Sequence, residues 1–559
     1  MTVFRHLCVR LSALLFALFL PHSADATTAQ QTDSVFVQTV RSQLDAARLP
    51  WTRWPVITDV QTEVRRAYDA QAWKPLWMTD RLPTPAALAM LSELRHADRN
   101  GLERDDYDVD SLSARVPRVR FAPDDSLQVR RAEWDLALSV AATRYALALQ
   151  RGRVNPRKLF AMLRFDRDST DGANHLLALR TTLRPNDYVN QLQPPFSAYR
   201  LLQASLPRLQ SMARDTALAM LPSLPRRLRP GMRWEGMPLL RRRLAAMGDL
   251  PSDSLVPRDT LLVYDRTAAA AVKAYQRRQG FTDDGVIGDS TGARLRRPIT
   301  DEIRQVSLTL ERWRWLPKRF ATPPIIVNLA AFRLYGFQST SDAEDSLLTM
   351  NVVVGSSIDH STPLLADTMT SVVFRPYWDV PRSIMLNEIR PKALKQPGWF
   401  SKEKYELVQD GTVLAPTPEN LASIASNGVR VRQKPGLSNA LGDMKFLLPN
   451  EEDIYLHDTP SRTLFSRARR DFSHGCVRLA DPLALAKLVL RDRPEWTEER
   501  MLEAIAKDVP TTVRLKTPVP VYLFYGTAVA RPDGAVQFFA DLYGHDGTLE
   551  ATLRRGYPY

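Results

Sequence analysis

The spacing of apolar residues changes once along this chain, and that change sets the class of fold. From Val35 to about Arg229, apolar residues recur at three- and four-residue intervals, as in helices buried along one face. After Glu311-Arg312-Trp313-Arg314-Trp315 they come as short β-branched runs bounded by turns. These runs are Ile325–Leu329, Leu348–Val354, Ser371–Phe374, Phe446–Leu448 and Ile454–His457. A chain of 559 residues holds three to four domains at about 150 residues each. The expectation is therefore a multidomain α + β protein with a helical scaffold first and a mainly-β domain later.

In the helical part, Ala132–Leu149 is rich in Ala and Leu and is closed by Gly152 and Pro156. Val56–Trp73 reads as a second amphipathic helix. Pro85–Leu94 reads as a third, with Thr84 as N-cap and Pro85 at the first helical position. Pro207–Arg229 reads as an exit segment. His96 and His175 stand alone, and no paired acids, metal-ligand spacing or phosphate loop accompany them, so residues 27–230 read as scaffold. Residues 231–297 form a compact unit of three short helices. Met237–Met247 is the first, Asp265 caps Arg266–Gln279 with Gly280 as its stop, and a third starts at Thr291 after the Asp284-Gly285-Val286-Ile287-Gly288 turn. Residues 298–320 read as a linker and 321–515 as the β domain. Within the latter, about 377–428 is a long insertion carrying Pro, Lys and Trp, a length that suits a functional lid. Residues 516–559 read as a C-terminal β-hairpin segment, with Val519–Ala530 and Val536–Tyr543 flanking a Pro532-Asp533-Gly534 turn.

The first residues point to export. Arg5 and Arg10 precede the apolar run Leu11–Leu20, and Ala24-Asp25-Ala26 supplies a small-x-small cleavage site. Ten residues are too few to span a bilayer, so 1–26 reads as a Sec-type signal peptide and the periplasm as the destination. The membrane would be a partner only if that signal stayed uncleaved. With 76 Lys and Arg against 62 Asp and Glu, the chain carries +14, which suits a polyanionic partner. Export removes nucleic acid from the candidates. Oligomeric state is not legible.

Cleavage leaves Cys476 as the one cysteine, within Ser473-His474-Gly475-Cys476-Val477-Arg478-Leu479. A thiol attacks a carbonyl as its thiolate, so it needs a proton acceptor, and a Cys–His ion pair is the common arrangement. His457, ending the run Ile454-Tyr455-Leu456-His457, is the best base, because a strand aims it. His474, two residues from the sulfur, shapes the loop or assists the second half-reaction. Gly475 permits a tight turn, the N–H groups of Gly475 and Cys476 can cradle an oxyanion, and Arg478 can favour the thiolate or hold a substrate carboxylate. Ser473 and Tyr455 complete the set of supporting residues. One Cys and two His leave a zinc site a ligand short, so no metal and no cofactor is expected.

Read together, these segments resemble a known family. IYLHDTPSRTLFSRARRDFSHGCVRL is similar to the active-site signature of the L,D-transpeptidase (YkuD) family, and AVKAYQRRQGFTDDGVIGDST resembles a three-helix peptidoglycan-binding domain. ERWRWLP at 311–317, TPLLADTMTSVVFRPYWDVPRSI at 362–384 and RQKPGLSNALGDMKF at 432–446 resemble the large Gram-negative members. The resemblance implies Cys476 as nucleophile, His457 as proton donor and acceptor, and His474, Gly475 and Arg478 as support. It implies peptidoglycan tetrapeptide stems as both donor and acceptor. Cys476 would expel the terminal D-Ala, and a second stem's amine would resolve the thioester into a 3→3 cross-link. Two other readings stay open: hydrolysis of stem peptides by water at the same nucleophile, and a non-catalytic wall-binding scaffold built on residues 231–297. The 377–428 insertion is expected to shield the thioester, with Trp378, Trp399 and Phe400 as apolar cover.

Overall fold

A computed structural model of the chain describes residues 24–163, 171–251, 262–337, 347–426 and 428–557. Residues 1–23 of the expected leader lie outside the described residues. Among the described residues, no helix is long and apolar enough to cross a membrane.

The scaffold is built around the 28-residue helix Asp124–Arg151, in which every residue from Trp134 to Leu149 is buried. A helix apolar nearly all round belongs at the centre of a bundle. Its one buried acid, Asp135, accepts the backbone N–H groups of Leu76, Trp77 and Met78 at 2.9, 2.7 and 3.0 Å. Thr84 caps Pro85–Arg95 through Ala87 N, a bond worth about 1 kcal/mol. Two expected segments are redrawn. Val56–Trp73 is helical only over Gln61–Ala70, because Val56 is held in a bridge to Arg48. Pro207 does not open an exit segment but lies inside the helix Ser197–Arg214. Buried Leu202, Leu206, Leu209 and Met212 keep that helix whole around the lost proline N–H.

The three-helix unit consists of Met237–Ala246, Arg266–Gln279 and Asp289–Leu295, the last opening two residues before the expected Thr291; Asp265 Oδ1 accepts Ala268 N and Gly280 at φ +74 closes the second. What reads as a linker is the helix Ile299–Trp313, whose Ile299, Val306, Leu308 and Leu310 are buried. That helix, Ser197–Arg214, the three-helix unit and the β domain share one continuous apolar core, separate from the scaffold's own.

The β domain is a nine-stranded sheet: β1 (Ile325–Asn328), β2 (Arg333–Phe337), β3 (Leu347–Gly355), β4 (Leu365–Phe374), β5 (Met444–Leu447), β6 (Leu456–His457), β7 (Asp471–Ser473), β8 (Val477–Leu479) and β9 (Thr511–Phe524). Their order is β7-β3-β8-β6-β5-β4-β9-β1-β2, and β2 pairs with β3, so the sheet closes into a barrel. Phe446, Leu456, Val477, Leu479, Val352 and Met350 are on the buried face through matched register. Alternation sends their neighbours outward. The long β9 crosses position 515/516, where a boundary was expected, and belongs to the barrel. The hairpin that follows is only Ala528–Ala530 with Val536–Phe538, and the helix His545–Leu553 comes after it. The tail returns to the scaffold, where the Tyr557 ring receives Arg144 at 4.3 Å and Arg153 at 4.8 Å.

The expected lid is a folded subdomain. Trp378–Asp379, Arg430–Gln433, Tyr405–Gln409 and Thr412–Leu414 form an antiparallel sheet in that order, packed with short helices over a separate apolar core. It extends past residue 428 because the strand Arg430–Gln433 pairs with both Trp378–Asp379 and Tyr405–Gln409.

Candidate active site

Strand register gathers the chemistry on the outer face of the barrel. His457 pairs with Arg478 across β6 and β8, and with Lys445 across β6 and β5. Two residues back along β6 is Tyr455, and two back along β8 is Cys476, so all five side chains leave the same face.

Cys476 is partly exposed as a residue, yet burial around its sulfur pushes the thiol above the ordinary cysteine range. Three groups oppose that rise: the Tyr455 N–H, the Tyr455 hydroxyl and the Lys445 ammonium. The sulfur also donates to Asp453 O at 3.5 Å. Lys445 Nζ lies 3.8 Å from the centroid of the Tyr455 ring, and burial holds its own pKa below the usual lysine value. Lys445 is a residue sequence reasoning missed. Its signal was modest: a polar side chain between the inward-facing Met444 and Phe446.

His457 is buried, and burial with the facing Arg478 holds its imidazole down at about 3, so the ring is neutral at pH 7. Nδ1 donates to its neighbour's carbonyl, Asp458 O. A carbonyl only accepts, so Nδ1 carries the proton and Nε2 keeps the lone pair. The described hydrogen bonds include none between His457 and Cys476. Parallel register places Tyr455, not His457, beside the sulfur, and the two rings meet edge to face at 5.7 Å. The free site thus holds neutral thiol and neutral imidazole, in place of the expected ion pair.

The loop before β8 is tied by its carbonyls. Ser473 Oγ donates to Cys476 O at 2.5 Å, and Thr362 Oγ1 donates to Gly475 O at 2.7 Å. Thr362 is itself fixed by Gly355 N at 2.8 Å. Gly475 sits at φ +111, where a side chain is strained. In a trans peptide the N–H points opposite the C=O, so holding Gly475 O turns the Cys476 N–H the other way. Among the described backbone hydrogen bonds none uses that N–H. Arg478 Nε is buried without a partner.

His474 faces outward, its Nε2 2.7 Å from Glu388 Oε1 of the lid and its ring 4.9 Å from that of His360. Of the three expected lid aromatics, Trp378 reaches the site, its indole opposing the rise that burial gives the Tyr455 hydroxyl. Trp399 and Phe400 pack instead on Tyr405 in the lid's own core, at 5.3 and 5.5 Å between centroids, because the subdomain needs them to hold its helices on its sheet.

Comparison with known proteins finds three family matches along this chain. Residues 323–521 match the "L,D-transpeptidase catalytic domain" (YkuD), 235–295 the "Putative peptidoglycan binding domain" and 62–206 the "Scaffold domain". A "Putative L,D-transpeptidase" of Haemophilus influenzae is 33% identical over 224 residues, 40% of this chain and 44% of that protein. The matched region is thus less than half of either chain. Barrel, three-helix unit and helical bundle correspond to these three matches, and the chain carries a YkuD L,D-transpeptidase catalytic domain together with a peptidoglycan-binding domain and a scaffold domain.

Proposed function

We propose that this protein is a periplasmic, cysteine-dependent L,D-transpeptidase that joins peptidoglycan stem peptides by 3→3 cross-links. Cys476 gives its proton to His457 Nε2, and its sulfur bonds to the carbonyl carbon of the third residue, a diaminopimelate, of a donor tetrapeptide. The Cys476 N–H receives the developing oxyanion. Collapse breaks the C–N bond to the terminal D-Ala, and His457 returns the proton to the leaving amine. The side-chain amine of a second diaminopimelate then attacks the thioester carbonyl, His457 Nε2 takes the proton that this nitrogen sheds as the amide C–N bond forms, the C–S bond breaks, and His457 passes that proton to the sulfur. Arg478, with its unpartnered buried Nε, suits a carboxylate of the donor.

One observation carries this reading: Cys476, the sole cysteine outside the expected leader, stands beside Tyr455 in strand register, with the Lys445 cation over that ring and a backbone N–H that no described hydrogen bond uses. Those are the groups a thiolate nucleophile and an oxyanion require. The basic surface, the peptidoglycan-binding match and the N-terminal leader read from sequence support the substrate and the compartment.

Intact-mass analysis during turnover of a soluble tetrapeptide tests the proposal. The expected results are a tripeptidyl adduct on Cys476 and a dimer lacking one D-Ala. Free tripeptide without dimer would assign the chain as a hydrolase. Absence of any adduct with wild-type protein would overturn the cysteine mechanism.

A further inference from the structure

A cleft of about 1820 Å³ lies between the three-helix unit and the barrel, walled on its remaining sides by the C-terminal hairpin and the segment Phe465–Arg470. Its floor includes Arg333 and Tyr335 of β2 and Thr349 and Asn351 of β3. Asn351 pairs with Arg333 and is two residues from Val353, which pairs with Arg478. The floor is thus the same outer barrel face from which Cys476 opens, one strand removed from β8.

The wall holds ten arginines against five aspartates and glutamates. The five acids are already engaged: Asp283 with Arg277, Asp301 and Glu550 with Arg304, Asp546 with Arg312, and Asp541 with the Tyr525 hydroxyl. Four of the arginines, Arg294, Arg333, Arg467 and Arg470, have no carboxylate partner among the described ion pairs. Arg294 and Arg470 donate only to neutral oxygens, Phe538 O for the first and Val352 O, Arg467 O and Phe332 O among those of the second. Burial and the neighbouring Arg333 hold Arg470 down at about 10, a repulsion that a bound anion would relieve. Half-buried Phe281 and Phe465 stand on the same walls and offer flat apolar faces.

We propose that this cleft binds a segment of a glycan polymer bearing carboxylates, with acidic groups on Arg333, Arg467 and Arg470 and sugar faces on Phe281 and Phe465. Guanidinium forks suit carboxylates, and aromatic faces suit sugar rings. The proposal rests on peptidoglycan as substrate, and it gives the peptidoglycan-binding unit a role shared with the barrel: holding the strand whose stem peptide enters the catalytic site.

Co-sedimentation of the full chain with purified insoluble peptidoglycan tests it, using native polymer and polymer whose carboxyls have been amidated. Wild-type turnover of a soluble tetrapeptide separately reports on the catalytic reading, so failure of one is not failure of the other. Arg333→Gln with Arg467→Gln is the informative variant, since both side chains are exposed and neither makes a described ion pair. Binding to native polymer should weaken about fivefold, as expected for two partly solvated ion pairs. Sensitivity to amidation should largely disappear, and Arg333→Lys with Arg467→Lys should restore most of both. A variant that melts like wild type yet binds native polymer equally well, or keeps the wild-type response to amidation, would overturn the assignment.

Discussion

Glu388 Oε1, on the π-helical turn Met385–Ile389 of the lid subdomain, lies 2.7 Å from Nε2 of His474, two residues before Cys476. Trp378, on the first strand of the same subdomain, approaches the Tyr455 hydroxyl, so the subdomain meets both the loop before β8 and the residue that precedes β6. A lid held by a few polar links can open for substrate exchange without unfolding. The His474–Glu388 contact ties the subdomain to the loop before β8, as a latch would. Glu388 gave no signal in sequence.

Glu388→Gln keeps the shape of that latch and removes its charge. The two side chains are 38% and 51% exposed, so the pair is worth about 0.5 kcal/mol. KM for tetrapeptide should rise about twofold, with kcat changed less. A double-mutant cycle with His474→Gln should show coupling of that size, read from KM. Fully additive effects would mean that the two residues do not act together.

At the sulfur, Tyr455 and Lys445 oppose the effect of burial. Burial favours the neutral thiol, so alkylation of the free protein at pH 7 should be slower than that of free cysteine. Tyr455→Phe removes a hydroxyl donor to the thiolate, a bond worth about 1.5–3 kcal/mol, and should move the alkylation midpoint upward by about one pH unit or more. Lys445→Met should move it the same way, and Lys445→Arg should restore it. A midpoint unmoved in both Tyr455→Phe and Lys445→Met would show that neither stabilises the thiolate.

His457 sets a pH dependence of stability whose sign follows from its depressed value. Unfolded, it titrates near 6.5; folded, it stays neutral down to about 3. Below pH 6.5 the unfolded chain takes up the proton first, so the contribution is complete above that pH and is lost as pH falls toward 3. The loss is about 1.4 kcal/mol per pH unit inside the window. His545, held at about 4 by burial, acts in the same direction. His457→Gln should therefore flatten, without abolishing, the fall in melting temperature between pH 6.5 and 4. An unchanged slope would show that His457 is protonated in the folded protein near its ordinary pH.

Cys476 stands out in the sequence because few residue types offer a nucleophile's chemistry and it is set in Ser-His-Gly-Cys. Lys445 does not, since its proximity depends on β5 lying beside β6, and an isolated lysine carries no sign of pairing order. The helix Ile299–Trp313 reads as a linker because it sits between two recognisable units. Its buried Ile299, Val306 and Leu310 have helical spacing, yet the partner helix Ser197–Arg214 is hidden by Pro207. The lid reads as a loop for a similar reason. Its strands are two to five residues long, and its prolines, of which Pro391, Pro397 and Pro418 open helices, resemble loop punctuation.

Phe400 tests the lid as a unit that keeps water from the thioester. It is almost fully buried among Ile384, Leu407, Leu421 and their neighbours, and no catalytic residue is in that cluster. Phe400→Ala should cost the subdomain about 3–5 kcal/mol, while the barrel keeps its separate core. Amide exchange should accelerate over 378–433 and remain slow in β4, β5 and β9. Acylation of Cys476 needs only donor and sulfur, so burst formation of the tripeptidyl adduct should persist. Transfer needs an amine placed before water arrives, so the ratio of cross-linked to hydrolysed product should fall severalfold. If exchange shows the lid opened and that ratio stays at the wild-type value, the lid does not govern the choice of acceptor.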